Sequence, residues 1–145
     1  MDARVKLSEI FMIPPEAVKL RADEMKPLIE RIAKKLPRGA LTFYGVLEKF
    51  MKGEWTCLVR TDENGRIVQL GATATYPDME GKLVMQIMFI VGGTLEDVME
   101  AHDEIERKCR ENGIEAIEFI GRDGWLPMMK KLGYDDGMRL YRKEL

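Results

Sequence analysis

The spacing of hydrophobic residues predicts that the chain begins with helices and continues with strands. Apolar side chains recur at helical spacing over residues 25–36 and again over 43–51, which indicates two amphipathic helices. Thr42 is suited to cap the second of them because its hydroxyl can accept a hydrogen bond from the first turn. Two adjacent prolines interrupt the beginning of the chain, so residues 1–20 are expected to form an irregular N-terminal arm.

The middle of the chain has the pattern of strands. Residues 55–61 and 66–76 predict the two strands of a hairpin, and Asn64-Gly65 between them would supply the positive-φ positions of a tight turn. Residues 83–91 are almost continuously apolar, as expected of a central strand that is covered on both faces.

The last third of the chain predicts a long helix, a strand, a short helix and a final strand. Thr94 with Asp97 three residues later resembles a capping box at the start of the long helix. The strand over 116–120 is expected to run parallel to the preceding one, since a helix separates them. A short helix over 125–132 and a strand over 138–143 complete the order.

This order predicts an α/β (α+β) fold, a mixed central sheet flanked by helices, in one domain spanning residues 1–145. Apolar residues make up 46% and charged residues 33% of the chain, which is typical of a globular protein. The net charge of −2 argues against nucleic acid as a partner. Neither a membrane-spanning run nor a signal-peptide pattern is found, so we expect no membrane partner.

The two cysteines, Cys57 and Cys109, lie far apart in the sequence. We interpret them as free thiols in a reducing cytoplasm rather than as a disulfide. Together with the single histidine they form no cluster with metal-ligand spacing, so no metal is expected.

Three short motifs lie in the last third of the chain. They are Val91-Gly92-Gly93, Gly121-Arg122-Asp123-Gly124-Trp125 and Leu132-Gly133-Tyr134. Together with the order of elements over residues 41–145, they resemble the GNAT superfamily of acyl-CoA N-acyltransferases and, within it, GNAT-like proteins encoded by tailed bacteriophages. The resemblance implies a GNAT-like sheet, acetyl-CoA as cofactor, and a protein of the host cytoplasm or the virion.

The resemblance places the acetyl-CoA site where the central strand leads into the long helix. The residues it implies are Phe89, Val91, Gly92, Gly93 and Thr94. Glycines at a helix N-terminus let phosphates approach the backbone amides. The family's Arg/Gln-x-x-Gly-x-Gly/Ala loop is not found there, and the first turns carry carboxylates rather than Lys or Arg. The alternative is a tight turn into a capped helix.

The same resemblance implies Glu118 as the base and Tyr134 as the acid of an acyl transfer. GNAT enzymes often carry their acid tyrosine five residues before the closing aromatic, and here that residue is Met129, whose thioether cannot donate a proton. His102 lies on the apolar stripe of the long helix and is expected to be buried and hydrogen-bonded.

Two functions remain open. The degenerate acetyl-CoA and catalytic motifs favour a non-catalytic protein that binds a phage or host protein, as a virion component, in head assembly or in host interaction. The alternative is an acetyl-CoA-dependent N-acyltransferase that acts on a protein or a small amine. The apolar residues 10–13 could dock onto the partner in the first case, or they could simply cover the edge of the sheet.

Overall fold

A computed structural model of the protein describes residues 5–120, 126–135 and 142–145. The elements follow one another as strand β1 (Phe11–Ile13), a 3-10 helix (Pro15–Arg21), helices α1 (Ala22–Ala33) and α2 (Phe43–Met51), strands β2 (Thr56–Thr61), β3 (Ile67–Pro77) and β4 (Leu83–Val91), helix α3 (Leu95–Glu111), strand β5 (Ala116–Phe119) and helix α4 (Leu126–Lys131). The predicted α/β fold with a mixed sheet is confirmed.

The described strands form one sheet in the order β1-β2-β3-β4-β5. The first three pairings are antiparallel, and β5 runs parallel to β4. The parallel pairing is the one that the sequence predicted, because a helix joins these two neighbouring strands.

Hydrophobic cores lie on both faces of the sheet. One core joins α1 and α2 to the sheet, and it includes the side chains of Met25, Ile29, Val46, Phe50, Leu70 and Phe89. The other core joins α3 to the sheet through Ile87, Ile90, Val98, Ala101 and Ile105. Strand β4 contributes to both cores, which confirms that it is covered on both faces and explains its continuous apolar run.

The N-terminal segment, which was predicted to be irregular over residues 1–20, is irregular over residues 5–10 but regular from Phe11 onward. Strand β1 pairs with the edge of β2, with Phe11 opposite Val59 and Ile13 opposite Cys57. Pro15 then opens the 3-10 helix, where its missing amide hydrogen costs little. The prediction failed because the strand forms only through pairing with β2, which satisfies backbone groups of a distant segment.

The apolar segment 10–13 divides between the interior and the surface. Ile10 and Ile13 are buried, whereas Phe11 and Met12 are exposed. The segment therefore covers the sheet edge and leaves two apolar side chains in contact with solvent.

The β2–β3 turn is a hairpin turn as predicted, but Asn64 does not adopt the expected positive φ. Only Gly65 does, at +78°. The Asp62 carboxylate accepts hydrogen bonds from the amides of Asn64 and Arg66. This side-chain bonding lets Asn64 keep an ordinary backbone conformation.

The helix caps confirm two further predictions. The Thr42 hydroxyl accepts from the Gly45 amide at the start of α2, and Thr94 and Asp97 form a capping box at the start of α3. The motif 121–125 and most of the predicted strand 138–143 lie outside the described residues. Within the part of the chain that the structure describes, no helix is long and apolar enough to cross a membrane.

Candidate functional site

The described pairing between strands β4 and β5 covers only part of β4. Their pairing runs from Val84 opposite Ala116 to Ile87 opposite Phe119, and it ends with a hydrogen bond from the Ile120 amide to the Ile87 carbonyl. Strand β4 continues to Val91. Among the described residues, the edge of β4 beyond Ile87 has no strand beside it.

A β-bulge in β4 lies at the same place. Consecutive residues Ala72 and Thr73 of β3 face Phe89 and Ile87, so Met88 is the extra residue on β4. A bulge bends its strand and increases the local twist. Here it coincides with the end of the β4–β5 pairing. The sequence carried no signal for the bulge because the apolar run is uninterrupted across it.

Three polar side chains meet on the surface near the end of the β4–β5 pairing. Gln86 and Glu118 are neighbours in the register of β4 and β5. The Glu118 carboxylate accepts a hydrogen bond from the Tyr76 hydroxyl and one of 3.5 Å from Nε2 of Gln86. The bond to the negatively charged Glu118 raises the pKa of Tyr76, so the phenol remains a donor.

Glu118 is exposed and lies on the face of the sheet opposite α3. Its neighbour Gln86 belongs to the face of β3 and β4 that α1 and α2 cover further along. The carboxylate is one residue from the last β4–β5 pair. A proton acceptor is thus held near the end of the described β4–β5 pairing by one donor from β3 and one from β4.

Tyr134 lies on the other face of β5. Its hydroxyl is 2.5 Å from Nε2 of His102, and its ring makes an edge contact with Phe119. Burial, and secondarily the negative charge of Glu106, raise the pKa of Tyr134. His102 is 2% exposed, and its Nδ1 has no hydrogen-bond partner.

The structure does not bring the two predicted catalytic residues together. Glu118 faces solvent beside Tyr76, whereas Tyr134 packs between Phe119 and His102 on the α3 side. Met129, at the position of the family's acid tyrosine, is buried. Of the two predicted catalytic residues, Glu118 is the one whose carboxylate is exposed and oriented by hydrogen bonds.

The two glycines of the turn from β4 into α3 pack closely against neighbouring atoms. A Cβ on Gly92 (φ +100°) would lie 2.2 Å from the Val68 carbonyl oxygen, and a Cβ on Gly93 (φ +79°) would lie 2.8 Å from Oδ2 of Asp97. The Gly92 carbonyl also accepts a hydrogen bond from Nε2 of Gln69. Both glycines are therefore needed for internal packing.

The Asp97 carboxylate occupies the N-terminus of α3. It accepts a hydrogen bond of 2.8 Å from the Thr94 amide, and the Asp97 amide donates in return to Oγ1 of Thr94. The Asp97 residue is only 4% exposed. An amide that could hold a phosphate is thus already bound to a carboxylate of the chain itself.

The buried guanidinium of Arg60, below this turn, also has hydrogen-bond partners within the protein. Arg60 is 7% exposed and donates to the Asp97 backbone carbonyl and to Oε1 of Gln69. Its second terminal nitrogen is 3.4 Å from the Glu100 carboxylate. Sequence reasoning missed Arg60, because a charged residue within an apolar strand gives no sign of the helix it will meet.

The remaining predicted donor-binding side chains point into the core. Phe89 and Val91 are 4% and 7% exposed and pack in the α1–α2 core. Because Asp97 occupies the Thr94 amide and the first turn of α3 is acidic, the described residues fit a diphosphate poorly at this turn.

No family model matches the chain, and no curated protein matches its sequence. Solved structures do resemble it. An acetyltransferase from Trypanosoma brucei superposes with a TM-score of 0.69 at 16% identity, covering 97% of this chain and 100% of the other. A ribosomal-protein-alanine N-acetyltransferase from Brucella melitensis biovar Abortus 2308 gives a TM-score of 0.73 at 11% identity, covering 97% and 99%.

The chain has the GNAT acetyltransferase fold. A third structure with this fold, a predicted acetyltransferase from Clostridium acetobutylicum with acetyl-CoA, gives a TM-score of 0.65 at 14% identity and covers 96% of each chain. At these identities the likeness extends to the fold alone. The expected link to bacteriophage proteins stays a prediction.

Proposed function

We propose that this GNAT-fold protein transfers an acyl group from a thioester donor to an amine, and that Glu118 accepts the proton of the amine. The observation that carries the proposal is the position of Glu118. Tyr76 and Gln86 hold its carboxylate one residue before the last described β4–β5 pair. An oriented and exposed carboxylate is what such a transfer needs from a base.

The chemistry balances with the groups present. The amine nitrogen attacks the thioester carbonyl, and its proton passes to the Glu118 carboxylate. Backbone amides of β4 beyond its described pairing with β5 would stabilise the oxyanion that forms. The carbon–sulfur bond then breaks, the new amide leaves, and the thiolate takes up the proton that Glu118 accepted, which regenerates the carboxylate. No redox partner is required.

The open surface around Glu118 suits an amine substrate. Tyr76 and Glu118 are both exposed, so an amine can approach from the face opposite α3 without crossing the core. The negative carboxylate would also attract a protonated amine before it loses its proton. A protein side chain, a chain terminus or a small amine would meet this requirement.

The proposal is tested by release of thiol from acetyl thioesters in the presence of a panel of primary amines. Wild-type protein should form an amide, detected by mass spectrometry. Glu118→Gln should lower the rate by roughly 100-fold or more, because general-base catalysis contributes about 10²–10⁴. Glu115→Gln is the matched control, since it removes an exposed carboxylate from the same segment and should keep the wild-type rate.

Equal rates for Glu118→Gln and wild type, with both proteins shown to be folded by circular dichroism, would contradict the role of Glu118. A folded wild-type protein that forms no amide from any donor or amine would contradict acyl transfer itself.

A non-catalytic binding protein is the second candidate, and the closed α3 turn favours it. The Asp97 carboxylate binds an amide that could otherwise bind a phosphate, as expected of a protein that no longer uses acetyl-CoA. The partner would then be a phage or host protein, as the resemblance to virion and head-assembly proteins implies. Under this candidate, the thiol-release assay gives no amide with any donor.

A further inference from the structure

We infer that the outer edge of strand β1 is an interaction surface for a second copy of this chain. The two copies pair antiparallel along β1, with a two-fold axis at Met12, and their sheets join edge to edge. The inference is independent of the proposed acyl transfer, because β1 and the strand that carries Glu118 lie at opposite ends of the described sheet. We call the outward side of residues 8–14 the β1 edge.

The backbone of β1 alternates between facing β2 and facing outward, as in any antiparallel strand. The Ile10 amide donates to Oε1 of Glu104 at 2.8 Å, and the Ile10 carbonyl accepts from Nζ of Lys108 at 3.1 Å. Both partners are side chains of α3, so Ile10 faces away from β2. The alternation then directs the backbone groups of Phe11 towards β2 and those of Met12 outward.

The neighbours of Met12 on the β1 edge have no free backbone groups. On one side, two α3 side chains bind the preceding outward residue, and the Ser8 carbonyl accepts from Nε of Arg60 at 2.9 Å. On the other side, Pro14 has no amide hydrogen, and its carbonyl accepts from the Ala17 amide. Among the described residues of this edge, the amide and carbonyl of Met12 are therefore the outward pair without a partner.

A second copy of the chain matches this arrangement. In an antiparallel pair centred on Met12, the Met12 amide of each copy donates to the Met12 carbonyl of the other. The next outward positions place Ile10 of one copy opposite Pro14 of the other, and neither needs a further bond. A strand from an unrelated protein would bring unpaired groups to these positions, where the edge has nothing to offer them. The β1 edge thus favours its own copy.

The exposed side chains of β1 support the same pairing. Phe11 lies on the side of the sheet where Ile13 joins the α1–α2 core, and Met12 lies on the side where Ile10 joins the α3 core. Phe11 is 40% exposed and Met12 is 55% exposed. In the two-fold pair, Met12 lies beside the partner's Met12 and Phe11 lies opposite the partner's Ile13. Both exposed apolar side chains therefore become covered.

The pairing is short, which sets the strength of the association. Strand β1 has three residues. Pro14 limits the pairing at one end, and the Glu104–Lys108 ion pair, with its charged atoms 3.8 Å apart, limits it at the other. Small interfaces of this kind are transient, so we expect a dimer that dissociates at micromolar or higher protein concentrations.

The test is analytical ultracentrifugation of the full chain at protein concentrations from about 1 μM to about 1 mM. Wild-type protein should show a concentration-dependent equilibrium between monomer and dimer. Met12→Pro removes the outward amide hydrogen and leaves the bonds between β1 and β2 in place, as proline does on an edge strand. It should raise the dissociation constant at least about tenfold.

Met79→Pro is the matched control. Met79 is a fully exposed methionine of the β3–β4 turn, and it follows Asp78, whose carbonyl accepts from the Gly81 amide. Proline is well suited to this second position of a turn. The substitution should leave the dissociation constant of the dimer unchanged.

Cross-linking provides a second measurement that does not depend on proline. Directly opposite residues of a hydrogen-bonded antiparallel pair have Cα atoms about 5.5 Å apart, within the range that a disulfide spans. Met12→Cys should therefore form a covalent dimer with a mild oxidant, and Met79→Cys should form much less. The two native cysteines are buried, so the introduced thiol is the one that reacts.

A wild-type protein that stays monomeric up to about 1 mM would overturn the inference and leave the β1 edge to a strand of another protein. A dimer whose dissociation constant is the same in Met12→Pro and wild type would overturn it as well, because the interface would then lie elsewhere. If Met12→Pro does not fold, the cross-link decides. Equal yields of covalent dimer from Met12→Cys and Met79→Cys would count against the β1 edge.

Discussion

At the scale of single residues, the contact between buried His102 and half-buried Tyr134 shows how one hydroxyl can stabilise the fold. The phenol is the hydrogen-bond partner of His102 Nε2, and Nδ1 of the same ring has none. Because the imidazole is 2% exposed, water does not replace a lost bond easily. Tyr134 therefore has a structural role that is independent of any chemistry.

Tyr134→Phe should lower the free energy of unfolding by about 1–3 kcal/mol, because it leaves both ring nitrogens of a buried histidine unpaired. Tyr76→Phe removes the same hydroxyl from an exposed position and should change stability by less than about 0.5 kcal/mol. Urea denaturation of both variants measures the difference. Equal stabilities would contradict the role assigned to Tyr134.

At the scale of elements, the β4–α3 turn depends on the absence of a side chain at Gly92. A Cβ there would meet the Val68 carbonyl at 2.2 Å, and φ is +100°. A Cβ on Gly113, which ends α3 with φ +74°, would meet no atom within 4 Å among the described residues. Substitutions at the two glycines therefore distinguish the cost of a steric clash from the cost of backbone strain.

Gly92→Ala should destabilise the protein by roughly 3 kcal/mol or more, since it adds a backbone clash to the strain of positive φ. Gly113→Ala should cost only about 1–2 kcal/mol, from the strain alone. Thermal unfolding of the two variants decides the matter. A smaller loss for Gly92→Ala than for Gly113→Ala would contradict the packed turn.

The elements that the sequence predicted well are those with local causes. The capping box at Thr94 and Asp97 and the apolar run of β4 each lie within a few residues, and both are found as expected. Strand β1 and the bulge at Met88 were missed. Each exists only through pairing with a strand far away in the sequence, and such pairing leaves no local pattern.

In the candidate site, too, local features could be predicted from the sequence and long-range contacts could not. Glu118 could be named from its place on a predicted strand, but its partner Tyr76 is 42 residues away. The register of three strands decides that they meet. Likewise, the carboxylates of the α3 turn were visible in the sequence, whereas the burial of Asp97 over the Thr94 amide was not.

At the scale of the whole molecule, the two cores each contain one cysteine. Cys57 lies in the α1–α2 core and Cys109 in the α3 core, and both thiols are free and buried. Burial raises the pKa of Cys57 to about 12, and burial likewise raises the pKa of Cys109. The thiolate is the reactive form, so both groups should be inert in the folded protein.

We predict that a thiol reagent at pH 8 modifies neither cysteine in the native protein. As denaturant is added, both cysteines should become reactive at the same denaturant concentration. The two cores share strand β4, so they should unfold together. Mass spectrometry after pulsed labelling reports each cysteine separately. Modification of Cys109 well before Cys57 would show instead that the α3 side opens on its own.

The role of Glu118 is tested most directly by chemical rescue. Glu118→Ala should lose amide formation from an acetyl thioester by about 10²–10⁴, and added formate should restore part of the rate, because the site is exposed and a small carboxylate can replace the missing base. Formate should not accelerate wild-type protein or Glu115→Gln. A Glu118→Ala protein that keeps the wild-type rate without formate would contradict the central claim.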